Sequence, residues 1–110
     1  MKISLKETEA FDRGEFKGNL YTQKKDNKGF NALLVDCLTG HYKTRLKGAA
    51  RVYFVLEGSG MFTINGGSTE VEQYDLIILE SGDEYSYKGS MKLFEFNVPA
   101  TDASNEEKLD

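Results

Sequence analysis

The chain has 110 residues, a formal net charge of -4, 39% hydrophobic and 29% charged residues. That describes one small globular domain with a single core, too apolar for a disordered chain and too acidic to hold nucleic acid without a concentrated basic face. No apolar run approaches the roughly 18 residues a membrane span requires, and charges interrupt the opening MKISLKETEAF, so the reading is a soluble, cytoplasmic protein with no nucleic-acid or membrane partner.

Met1 to Gly18 is polar and weakly patterned; Ile3 and Leu5 suit a short edge strand, and Phe11 and Phe16 suit a lid over the core. Asn19 to Lys25 reads as the first full strand, closed by Asp26-Asn27-Lys28-Gly29, whose Asn and Gly tolerate the positive φ of hairpin turns. Phe30 to Leu38 follows as a strand, with Leu33, Val35 and Cys37 on one face and Ala32, Leu34 and Leu38 on the other, a pattern that suggests burial of both. Cys37, the single cysteine, cannot form an intrachain disulfide and reads as a buried, inert thiol. Thr39-Gly40 turns the chain into His41 to Leu46, and Lys47 to Ala50 is a short loop.

Arg51 to Gly67 organises the middle of the chain: Val52 to Glu57 and Met61 to Asn65 read as a hairpin pair joined through Gly58-Ser59-Gly60 and closed by Asn65-Gly66-Gly67. No helix follows those glycines, so a phosphate-cradling loop is not expected. Thr69 to Glu72 is brief and acidic, Asp75 to Leu79 is a near-continuous apolar strand, and Glu80-Ser81-Gly82-Asp83 turns. Glu84 to Tyr87 pairs briefly, Lys88-Gly89-Ser90 turns again, and Met91 to Val98 is the last strand, stopped by Pro99. No segment sustains a helical apolar period, so the fold class is all-β, an antiparallel sandwich or barrel over residues 1–98, with residues 99–110 a polar tail expected to fray.

An apolar strand running into Val55-Leu56-Glu57-Gly58-Ser59-Gly60, followed by Tyr74-Asp75-Leu76-Ile77-Ile78-Leu79-Glu80-Ser81-Gly82-Asp83-Glu84-Tyr85, resembles the two motifs of the cupin superfamily. The resemblance covers about Thr39 to Val98 and implies a double-stranded β-helix barrel, or jelly roll, enclosing a ligand cavity. Metal-dependent cupins hold their ion with two His and a Glu from the first motif and a His from the second. Aligned on Gly58, the Glu position falls on Arg51 and the two His positions on Thr44 and Leu46, or on Arg45 and Lys47 if the loop is one residue shorter. Aligned on Gly82, the last His falls on Tyr85. The second motif departs further, with Glu80 for its Pro and Tyr74 for its first Gly. A protonated guanidinium cannot coordinate, so neither a metal nor another cofactor is expected.

The resemblance points Arg51 inward, and strand alternation carries Tyr53 and Val55 with it. The expected ligand-binding set is therefore Arg45, Lys47, Arg51, Tyr53, Tyr85 and Tyr87, suited to a small polar ligand, anionic or carbohydrate-like, because guanidinium matches carboxylate or phosphate and aromatic faces stack on rings. The competing reading pairs Arg51 with Glu80 or Glu84 as a structural ion pair, the tyrosines filling volume. If the protein is an enzyme, a metal-independent isomerase, epimerase or lyase, Tyr85 or Tyr53 is the candidate acid and His41 or Glu80 the base. A third reading is a non-catalytic scaffold or regulatory dimer. Val52, Phe54 and Leu56 form an apolar outer row on the central strand, from which a homodimer is expected.

Overall fold

Alternation of apolar and polar residues at period two produces strands almost throughout residues 1–109, which the computed structural model describes. In chain order they are β1 (Glu9–Asp12), β2 (Phe16–Thr22), β3 (Asn31–Cys37), β4 (Gly40–Leu46), β5 (Ala50–Ile64), β6 (Gly67–Glu72), β7 (Leu76–Leu79), β8 (Glu84–Val98) and β9 (Glu106–Lys108). The two longest strands carry the architecture. β8 pairs with β4 through its first half, with β3 through its second, and with β5 along nearly all its length. One layer therefore runs β1-β2-β3-β8-β5-β7 and the other β9-β4-β8-β5-β6, antiparallel at every step: a sheet curled into a jelly-roll barrel.

Two expected turns are absent. Gly58-Ser59-Gly60 and Lys88-Gly89-Ser90 do not reverse the chain; each lies inside a 15-residue strand, and Ser59 pairs with Ser90 where β5 and β8 bend together. Gly58 shows why glycine is needed there: its φ is +84°, and a Cβ would sit 2.2 Å from the Ser90 carbonyl oxygen. The expected turn at Asn65-Gly66 does form, with φ of 50° and 85°, and joins β5 to β6.

The N-terminal reading is also corrected. Leu5–Glu7 is a single 3-10 turn rather than a strand, and the first full strand is β2, ending at Thr22 instead of Lys25. Lys24–Asp26 forms a second 3-10 turn because Asp26 accepts from the Gln23 N–H at 2.8 Å and Asn27 takes the left-handed conformation. The tail is ordered through residue 109: Ala103–Asn105 is a 3-10 turn and β9 adds to the free edge of β4. Hydrogen bonds rather than apolar burial order it, with Lys47 N–H donating to the Asn105 carbonyl at 2.7 Å and Thr101 N–H to Asn31 Oδ1 at 2.6 Å.

Val35, Val55, Phe62, Leu79 and Leu93 fill the barrel, each at most 1% exposed, and each contributes roughly 1.5–3 kcal/mol by burial. Cys37 is buried as expected, and burial pushes its thiol up to about 11. On the outside, Val52 and Phe54 lie between Phe94 and Phe96 of β8 and Leu76 and Ile78 of β7. Leu76 and Ile78 are more than half exposed, so this outer face is apolar and open. Among the described residues no helix is long and apolar enough to cross a membrane.

Candidate functional site

A cavity of about 610 Å³ opens at one end of the barrel, between the inner face of the sheet and a cover made by the β1–β2 hairpin, the Lys24–Asp26 turn and the C-terminal segment. Strand parity decides which side chains reach the interior. On β5 the inward set is Arg51, Tyr53 and Val55; on β8 it is Tyr85 and Tyr87 before the bend, then Met91, Leu93, Glu95 and Asn97 after it. β4 changes parity, because its register against β8 shifts between His41 and Thr44. His41 thus points inward with Thr44 and Leu46, whereas Arg45 turns out.

Arg51 is 2% exposed and is the hub of the site. Its Nε donates to Asn97 Oδ1 at 2.6 Å and lies 3.3 Å from Glu95 Oε2; its Nη1 donates to Tyr85 Oη at 2.7 Å and to Glu106 Oε1 at 2.6 Å. Asn97 Nδ2 in turn donates to Glu95 at 2.9 Å and to Asn31 at 3.2 Å, and the Tyr85 and Tyr53 hydroxyls lie 3.1 Å apart. Burial works against the Arg51 charge, but Glu95, the two tyrosines and Glu106 outweigh it and hold the guanidinium protonated well beyond its ordinary range. Burial likewise pushes Tyr85 up to about 12 and Tyr53 and Tyr87 well above their usual value, so all three are neutral phenols at physiological pH. The Tyr87 hydroxyl has no hydrogen-bond partner among the described residues.

His41 lines the cavity at 8% exposure, stacked on Phe16 at a centroid distance of 4.6 Å and packed against Tyr42, Tyr85 and Tyr87. Burial lowers its pKa below the ordinary 6.5, against the opposing pull of the Tyr42 carbonyl, Glu95 and Glu106. Its Nδ1 lies 2.7 Å from that carbonyl. A carbonyl only accepts, so Nδ1 carries the hydrogen and Nε2 keeps its lone pair, with no protein partner among the described residues. A neutral imidazole held in this tautomer is equipped to act as a base.

The residues expected from the sequence are therefore divided. Arg51 and His41 line the cavity; Tyr85 does not, but bonds to Arg51 and meets the Tyr53 hydroxyl, and Tyr87 packs against His41. Arg45 and Lys47 do not reach the cavity. The shift in β4 turns Arg45 to the surface, where it pairs with Glu84 at 3.1 Å and Glu107 at 2.8 Å, and Lys47 is exposed. Glu80 is exposed in a turn, closed when Asp83 accepts its N–H at 2.8 Å, and is placed neither to pair with Arg51 nor to act as a base in the cavity. The carboxylates on Arg51 are Glu95 and Glu106 instead. Glu95 and Asn97 had a sequence signal, polar residues on the inward parity of MKLFEFNV after Met91 and Leu93; Tyr42 and Glu106 had none, since each depends on an irregular backbone or a distant segment.

No family model and no curated protein sequence matches the chain. Solved structures do. The chain is similar to the Streptomyces nucleoside dehydratase Pac13, described as a β-barrel, with a TM-score of 0.90 and 22% identity over 99% of this chain and 90% of that one. It is equally similar in shape to structures of that enzyme with uridine that carry a histidine-to-glutamine or a tyrosine-to-phenylalanine substitution. Ectoine synthase from P. lautus gives a TM-score of 0.82 at 14% identity, covering 100% of this chain and 90% of that one. The cupin domain of Schizosaccharomyces pombe Cnp3 gives 0.73 at 19% identity, covering 92% and 74%. The fold is that of the cupins.

Of the positions that the cupin resemblance aligns with metal ligands, Thr44, Leu46, Arg51 and Tyr85 are buried, whereas the alternative pair, Arg45 and Lys47, does not face the interior. The four buried residues present a hydroxyl, a hydrocarbon, a charged guanidinium and a neutral phenol, a set that does not fit a divalent cation. The guanidinium is itself a cation at the centre of the set, already bonded to two carboxylates.

Proposed function

We propose that the cavity binds a small, ring-bearing, hydroxyl-rich molecule of nucleoside or carbohydrate type, and that His41 carries out metal-independent acid–base chemistry on it, elimination of water. The single observation that carries this reading is His41: a buried, neutral imidazole lining the cavity, with Nδ1 tied to the Tyr42 carbonyl and Nε2 unpartnered among the described residues. The surroundings suit such a ligand. Phe16 and Tyr42 give the cavity aromatic walls, and Arg51, Asn97, Glu95 and Asn31 line it with a hydrogen-bonded polar network. The similarity in fold to a nucleoside dehydratase supports the same reading.

In the proposed step, His41 Nε2 takes a proton from the carbon beside an electron-withdrawing group. The C–H pair becomes the new C=C bond, the neighbouring C–O bond breaks, and the imidazolium returns the proton to the departing hydroxyl as water. Arg51, fixed by Asn97, Glu95 and Glu106, helps to orient the neutral hydroxyl groups of the substrate for this step. The test is incubation with nucleosides and β-hydroxycarbonyl sugars, followed by mass spectrometry for loss of one water. Turnover by the wild-type chain that His41→Gln abolishes is expected; no turnover by the wild-type chain on any member of the panel overturns the catalytic part, and no saturable binding of any member overturns the whole.

A further inference from the structure

We infer that the mouth of the cavity is built to receive a phosphate monoester on the ligand, through Arg13, Lys24 and Lys25, so that the preferred ligand class is a nucleoside monophosphate rather than a bare nucleoside. This rests on the nucleoside-type reading of the cavity above. Arg51, the obvious anion receptor, is already engaged: Glu95 and Glu106 lie 3.3 and 2.6 Å from its nitrogens. A third anion there would face two carboxylates in a water-poor space, where like charges repel strongly. The inner end therefore suits neutral hydroxyl and amide groups.

At the mouth the balance is reversed. Arg13 follows β1, and Lys24 and Lys25 sit on the turn after β2, so three cations from two separate segments line the same opening. Asp102 of the C-terminal segment pairs with one of them, 3.4 Å from Lys24, while Glu9 and Asp26 share a neighbouring pocket with Lys25. Among the described residues Arg13 and Lys25 have no carboxylate within salt-bridge distance, and the Arg13 guanidinium lies 5.9 Å from the Phe11 ring centre, against an apolar wall of the cavity. In a protein of net charge -4 such an excess runs against the overall composition. A group of nearly two negative charges with several acceptor oxygens can meet Arg13 and Lys25 together and take Lys24 from Asp102. A ring and ribose inside with a phosphate at the entrance is the arrangement of a nucleoside 5′-monophosphate.

The experiment is calorimetric titration of the whole chain with uridine, uridine 5′-monophosphate and inorganic phosphate, at low and at raised salt. The monophosphate is expected to bind about ten-fold more tightly than uridine at low salt, the advantage shrinking as salt rises. The double variant Arg13→Gln/Lys25→Gln, at exposed positions outside the core, should remove that advantage while leaving uridine affinity and melting temperature unchanged. Uridine binding with no gain from the phosphate overturns this inference and leaves the proposed function standing. Binding of neither overturns both, and an advantage that survives in the double variant overturns the assignment to these residues.

Discussion

Replacing Arg51 by Met keeps most of the side-chain volume and removes the charge. Four groups then lose a donor: Asn97, Tyr85, Glu106 and Glu95, the last only 8% exposed. Breaking a buried ion pair from one side costs about 3–5 kcal/mol, because the surviving charge stays desolvated, against a total of about 5–15 kcal/mol for a domain of this kind. Urea unfolding reads the change through tyrosine fluorescence, since the chain has six Tyr and no Trp. With a slope of about 1–3 kcal/mol per molar urea, the midpoint falls by at least about 1 M. Arg51→Met/Glu95→Gln should recover part of the loss, because it removes the stranded carboxylate as well. A loss under about 1 kcal/mol, with no recovery in the double variant, would refute the account of Arg51 as the hub.

Other consequences are as direct. The folded state resists protonation of His41, so as pH falls below about 6.5 the unfolded chain takes up the proton first; stability present above that pH is lost below it, and denaturation curves of His41→Gln should show a smaller loss between neutral and mildly acidic pH. Tyr87→Phe removes a buried hydroxyl that has no partner among the described residues and should leave the protein as stable or stabilise it by about 1 kcal/mol, measured by the same urea titration; destabilisation by that amount would show that the hydroxyl is satisfied in solution. The open face formed by Val52, Phe54, Leu76, Ile78, Phe94 and Phe96 predicts a symmetric dimer, seen as twice the chain mass in light scattering and reduced to a monomer by Ile78→Lys; a wild-type monomer at micromolar concentration would contradict it.

The barrel was legible because its signals are local: period-two alternation, Asn65-Gly66 at a hairpin, Pro99 at the end of β8. The bends were not, because Gly58 and Gly89 look like turn glycines until β5 and β8 are seen to run side by side through them. In the site, the cupin resemblance pointed Arg51 inward and strand alternation carried Tyr53 with it, and both are buried. On β4 the resemblance left two pairs open, Thr44 with Leu46 or Arg45 with Lys47, and the irregularity after His41 turns Thr44 and Leu46 inward. The largest omission was the C-terminal segment. Its composition is that of a solvated tail, yet it finds partners in the backbone of β4 and the side chains of Asn31 and Arg51, through contacts such as Arg51–Glu106 and Asn31–Thr101 that span 55 and 70 residues of chain.

The central claim, that His41 is a neutral base facing a ligand, has a direct test because the chain contains one histidine. A long-range proton–nitrogen NMR spectrum of the imidazole, followed through a pH titration with and without uridine, reports tautomer, pKa and contact together. The account predicts hydrogen on Nδ1, a midpoint below 6.5 and resonances that move on adding uridine. Hydrogen on Nε2, or a midpoint at or above 6.5 with resonances indifferent to the nucleoside, would contradict it.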